Sequence, residues 1–204
     1  GENPLGPASE TYEVPILLNQ ADRMSDDLPF GSRGGVAMNH FFPVSGKYDL
    51  SLRLHRNYVN YIRGMGSRHE IEVRFDGSLI KTFQIGGEEP DVLQAPASYG
   101  GNQFGDREWE EYMLFADSNL KLRFDAEAGP HIVGVSFVRR FTEPEGVLQP
   151  PQSVFAAAVN EMRDGDAAIE VAQITGPFEP SGPGSTPSRD TIFICRPVGS
   201  DASS

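Results

Sequence analysis

The 204-residue chain has one cysteine, Cys195, and one tryptophan, Trp109. A single cysteine excludes an internal disulfide, a zinc site built on paired cysteines and the Cys-x-x-Cys-His haem attachment. Positive charge is also scarce: 17 Lys and Arg stand against 29 Asp and Glu, for a net charge of −12. Such a surplus repels phosphate backbones and anionic headgroups, which argues against nucleic acid and membrane surfaces as partners. No apolar run comes near the ~20 residues that span a bilayer, so no membrane insertion is expected. The N-terminus lacks a signal-peptide pattern, and Gly1 reads as the scar of a cut from a longer protein.

Catalytic signatures are missing as well. There is no Gly-x-Ser-x-Gly elbow and no phosphate-binding glycine loop. Gly64-Met65-Gly66 lacks a third glycine and reads as a turn between strands. His69-Glu70 opens a strand and has no second histidine four residues on, which excludes a zinc-protease helix. His40, His55, His69 and His131 lie far apart and read as solvated or hydrogen-bonded side chains. The residues predict no enzyme and no cofactor in this chain.

What the chain does have is turns and alternation. Its 22 Gly and 16 Pro are spread along the sequence, as expected for many short strands joined by turns. In 47–55, Tyr48, Leu50, Leu52 and Leu54 alternate with Asp49, Ser51, Arg53 and His55. Ile71, Val73 and Phe75 alternate with Glu70, Glu72 and Arg74, and Leu120, Leu122 and Phe124 with Asn119, Lys121 and Arg123. A period of two over three segments predicts strands with one wet face. Asp76-Gly77 between two such runs predicts a hairpin. Residues 130–139 are apolar on both parities and read as a central strand, 11–18 as an edge strand interrupted by Pro15, and 168–175 and 191–195 as further strands. Only 153–163, opened by Ser153, reads as helical. About nine strands and one short helix predict an all-β fold, an antiparallel β-sandwich of jelly-roll type. The sandwich domain is expected over 11–197, between a loose segment 1–10 and a frayed tail 198–204.

One connection, 86–109, is too long for a hairpin loop, and loops of that length are often functional. Trp109, Tyr99, Phe104 and Tyr112 lie in and beside it, among Gly and Asn residues. Flat rings beside polar groups suit a pyranose, so these four are the candidate ligand-binding residues, and a polysaccharide is the candidate partner. Tyr58 and Tyr61 form a second aromatic group. The alternative use of all these rings is to cap the core. Acidic residues flank the same loop, and Asp106 and Glu108 are the candidate ligands if calcium binds, although their spacing is not that of an EF-hand.

Several stretches carry a resemblance. They are Asp27-Leu28-Pro29-Phe30-Gly31-Ser32-Arg33-Gly34-Gly35, His40-Phe41-Phe42-Pro43, Glu72-Val73-Arg74-Phe75-Asp76-Gly77, Ala128-Gly129-Pro130-His131-Ile132-Val133-Gly134-Val135-Ser136-Phe137, and the tail Thr186-Pro187-Ser188-Arg189-Asp190-Thr191-Ile192-Phe193-Ile194-Cys195-Arg196-Pro197. Together, over roughly 10–197, they resemble a segment of planctomycete-type multidomain proteins that combine a c-type cytochrome domain with several domains of unknown function. That resemblance implies a carbohydrate-binding-like β-sandwich, similar to calcium-dependent xylan-binding modules, in a periplasmic or extracellular protein. It implies neighbouring domains as partners, one of which would supply a partner for Cys195. Two functions stay open: a non-catalytic carbohydrate-binding-like module, and a structural domain that positions its neighbours and binds no glycan.

Overall fold

The computed structural model describes residues 7–57, 60–65, 68–87, 107–139 and 166–182. Eight strands lie in these residues: β1 Ala8–Glu13, β2 Ser32–Phe42, β3 Ser45–Leu54, β4 His69–Phe75, β5 Ser78–Ile85, β6 Lys121–Ala126, β7 Gly129–Val138 and β8 Ile169–Gly182. One helix, α1 Arg107–Phe115, runs into a 3-10 turn at Ala116–Asn119. The strands form two four-stranded antiparallel sheets, in the orders β1-β8-β3-β6 and β2-β7-β4-β5. The chain crosses between sheets at most connections, which is jelly-roll topology.

The alternating runs do what their period requires. Tyr48, Leu50, Leu52 and Leu54 of β3, Ile71 and Val73 of β4, and Phe124 and Ala126 of β6 all point into the core. Met38 and Phe42 of β2, and Val133, Val135 and Phe137 of β7, face them. β8 changes parity: Ala172 and Ile174 are buried, and so is Ile169. The register against β3 shifts between Arg53 and Leu54, and this bulge puts both sets on the same face. A second irregularity, between Arg33 and Val36 on β2, needs glycine. Gly35 has φ +94°, and a Cβ there would lie 1.9 Å from the Val135 carbonyl oxygen.

Two expectations change. The first strand begins at Ala8 and ends before Pro15, because Val14 makes the last backbone bond, to Glu170, and Pro15 has no N–H to continue the ladder. Pro15 through Leu18 form a turn that leaves Ile16 and Leu17 exposed. The long connection after β5 ends in α1. Its Glu, Met and Leu residues favour helix, and Met113 buries while Tyr112 and Ala116 pack beside it on the core. The helix expected at 153–163, the strand at 191–195 and Cys195 lie outside the described residues. Among the described residues no helix is long and apolar enough to cross a membrane.

The sandwich has two unlike ends. At the turn end, three tight connections join β2 to β3, β4 to β5 and β6 to β7. At the loop end lie α1 and the 14–31 segment, whose Leu28 covers Gly134 on the outside of the second sheet.

Candidate functional site

Of the residues picked from sequence, Tyr99, Phe104 and Asp106 lie outside the described residues. Glu108, Trp109 and Tyr112 belong to α1. Tyr112 is half-buried against the core, and its hydroxyl accepts the Gly86 N–H at 2.8 Å. That bond fastens α1 to the end of β5. Tyr61 also packs against the core, and Tyr58 lies outside the described residues. Among the described residues no three His, Cys, Asp or Glu side chains group to hold a metal ion.

A wide concave feature lies at the other end. A groove of about 1110 Å³ opens among the tight turns and the last residues of β8. Its chemistry centres on Asp76 and His131. Asp76 sits in the β4–β5 hairpin with φ 48°, followed by Gly77 with φ 78°, the two positive values a two-residue turn demands. This geometry turns the Asp76 carboxylate towards β7. One oxygen accepts the Ile132 N–H at 2.9 Å, and the other lies 2.7 Å from His131 Nδ1. Partial desolvation raises the Asp76 pKa, but the Ile132 N–H and His131 outweigh it, so the carboxyl titrates below its ordinary 3.8. An ionised Asp76 can only accept, so His131 Nδ1 carries a proton and Nε2 is left for another partner.

The imidazole is also held by its faces. It stacks on Phe75 with centroids 4.8 Å apart and planes at 29°. Phe42 meets its edge at 5.7 Å. Most of the remaining lining side chains are polar. Lys47 Nζ pairs with Glu179 Oε2 at 2.5 Å, joining β3 to the end of β8. Ser45 Oγ accepts the Ala128 N–H at 3.0 Å, and Ser181 Oγ donates to the Ser45 carbonyl at 3.2 Å. Asp125 and Glu127 are exposed on the β6 side. The groove therefore presents four carboxylates, one ammonium and one oriented imidazole. Among the described residues no hydroxyl or thiol is hydrogen-bonded to His131. The nucleophile–base contact of covalent catalysis is not formed there.

The sequence treats Asp76 as a turn residue and His131 as a solvated or hydrogen-bonded histidine. Their meeting across 55 residues depends on the pairing of β4 with β7. The available signal is the Asp-Gly turn itself, which places a carboxylate at a hairpin corner.

Comparison with solved structures finds four similar chains, two of them carbohydrate binding modules. A CBM35 from Abf62 of Cellvibrio japonicus superposes with a TM-score of 0.39 and 10% identity, over 84% of this chain and 95% of that one. A family 35 carbohydrate binding module from Clostridium thermocellum superposes with a TM-score of 0.34 and 10% identity, over 83% and 97%. No family model and no curated protein matches the chain.

Proposed function

We propose that this domain is a non-catalytic glycan-binding module and that the turn-end groove receives the sugar. The observation that carries the reading is the imidazole of His131, oriented by Asp76, stacked on Phe75 and set in a wide groove with charged walls. Sugars present hydroxyls that both donate and accept, and a fixed imidazole nitrogen between carboxylates meets them with little reorganisation. Four carboxylates against Lys47 repel an acidic sugar, so the ligand is a neutral, xylan-type oligosaccharide in preference to a pectin-type one. An open groove leaves much of the ligand wet, so affinity is modest. The module belongs to an exported multidomain protein in this reading.

The test is a nuclear magnetic resonance titration with neutral and acidic oligosaccharides, with calcium and with chelator. Neutral sugars should shift resonances of residues 45–47, 75–77 and 125–131. Saturating sugar without any shift at those positions overturns the site.

A second reading rests on Tyr112. Its hydroxyl serves Gly86 and its ring packs on the core, as expected of a structural side chain. In that reading the aromatic group of α1 and the preceding connection holds the fold, and the domain positions its neighbours. A sugar site there, built on Trp109, Tyr99 and Phe104 with calcium at Asp106 and Glu108, is the competing proposal. The same titration separates the two by where the shifts fall.

A further inference from the structure

A second cavity lies at the loop end, among Gln20, Arg33, His55, Arg63, Asp166 and Ala167. Its interior holds about 20 Å³, room for one water-sized group and nothing larger. Most polar groups around it have protein partners. Gln20 Nε2 donates to the Ile169 carbonyl at 2.7 Å, and its Oε1 accepts the N–H groups of Gly35 and Ile169, each at 3.0 Å. Arg33 donates to the Ala167 carbonyl at 2.9 Å and lies 3.1 Å from His69 Nδ1, while His69 Nε2 is 2.7 Å from the Gly64 carbonyl.

His55 is different. It is 2% exposed, and its Nε2 has no hydrogen-bond partner among the described residues. Burial lowers the pKa of the ring, against a smaller opposing pull from Glu170 and the Val14 backbone. In the neutral Nδ1–H tautomer, Nε2 is a bare lone pair. Buried polar atoms are rarely left unmet, and each one needs an explanation. Two guanidinium groups, with five N–H groups each, line the same cavity. A group that donates to Nε2 can also accept from a guanidinium N–H beside it.

We infer that the loop-end cavity binds a single O–H group, which donates to His55 Nε2 and accepts from the arginines beside it. Two sources supply that chemistry: a water molecule, or one hydroxyl of a sugar seated over the cavity mouth. Either one links the end of β3 to Arg33 of β2 and to Arg63 in the connection before β4 through one oxygen. This site is separate from the groove and does not depend on glycan binding there.

The test uses the whole domain, labelled with ¹⁵N at histidine. The expected spectrum has His55 as the Nδ1–H tautomer, with Nε2 shifted as a hydrogen-bond acceptor. A long-lived O–H should cross-relax with the His55 ring in sugar-free protein if the source is water. The cross-peak should come from ligand protons, and only after neutral oligosaccharide is added, if the source is a sugar. His55→Phe keeps a ring and removes the acceptor, so the cross-peak should vanish. An unbonded Nε2 with and without sugar, an Nε2–H tautomer, or a cross-peak that survives in His55→Phe would each overturn the assignment. Should His55→Phe fail to fold, the wild-type tautomer and shift decide the matter alone.

Discussion

Tyr12 on β1 and His40 on β2 meet at 2.8 Å, hydroxyl to Nδ1, and so bridge the edges of the two sheets. Glu10 completes the contact: Oε1 accepts the Tyr12 hydroxyl at 2.9 Å, and Oε2 lies 3.3 Å from the imidazole. Burial pushes the Tyr12 pKa up, and Glu10 adds to the rise. Burial also pushes His40 down, against the pull of Glu10.

A pH dependence follows from the buried histidines. Desolvation lowers both His40 and His55 below the ordinary 6.5. The unfolded chain then binds more protons than the folded one between the two values, so stability rises with pH across that window. On acidification their contribution begins to fall near 6.5 and is gone once the folded values are passed. Asp49, lowered by its hydrogen bond to Arg123, and Asp76 act in a second window. Their stabilisation is present above 3.8 and is lost as pH falls through the folded values. Urea midpoints measured from pH 7.5 to 3 should decline in two stages, and His40→Gln should flatten the first.

Phe42 is 0% exposed and is the hub of the aromatic cluster, with Tyr48 at 4.6 Å, Phe75 at 5.9 Å and Phe124 at 6.1 Å. Truncation leaves a cavity that rigid strands cannot collapse. Phe42→Ala should cost about 3–5 kcal/mol by denaturant unfolding. Leu79 on the edge strand β5 is 48% exposed, and Leu79→Ala should stay within roughly 0.5 kcal/mol.

These two positions also show what could be read from sequence. The inner face of β3, β4 and β6 is written in a period of two, and the Asp76-Gly77 hairpin in two letters. Sheet membership is not local: nothing in β3 says that β8 and β6 flank it. Helix α1 is hard to read because its core contacts at Tyr112 and Met113 follow a Gly/Asn-rich stretch that reads as loop. Pro15 sat in an apolar run, and its missing N–H outweighed the run. The groove was illegible for the same reason as the topology, since its Asp76 and His131 come from strands that pair only in three dimensions.

Gly35 should tolerate no side chain. Its φ of +94° strains any other residue, and a Cβ would collide with backbone atoms of Val135 and Ser136 at 1.9 and 2.7 Å. Neither strand can retreat without breaking the β2–β7 ladder. Gly35→Ala should destabilise by well over about 1 kcal/mol. Gly77 also has positive φ, +78°, but a Cβ there would meet no atom within 4 Å. Gly77→Ala should show the conformational strain alone, about 1–2 kcal/mol. Thermal or urea unfolding of the pair checks the ordering.

The two candidate sugar sites lie at opposite ends of β5. Gly86, just past its last residue, is tied to Tyr112 of α1, whereas Asp76 and Gly77 precede its first. The eight residues between them span about 25 Å. Trp109 is the sole tryptophan, so intrinsic emission reports on α1 and not on the groove. If the groove binds the sugar, saturation should leave that emission unchanged while His131 resonances move. Trp109→Phe should then keep affinity within about twofold, a difference of roughly 0.4 kcal/mol. His131→Ala removes the oriented nitrogen and the stacked ring together, and should weaken binding about tenfold or more, equivalent to ~1.4 kcal/mol. Asp76→Asn is the finer probe, because an amide can donate to Nδ1 and so favour the other imidazole tautomer. It should weaken binding less than His131→Ala, with the fold intact by circular dichroism. Emission that shifts with sugar and is lost in Trp109→Phe, alongside unchanged binding in His131→Ala, would move the site to α1.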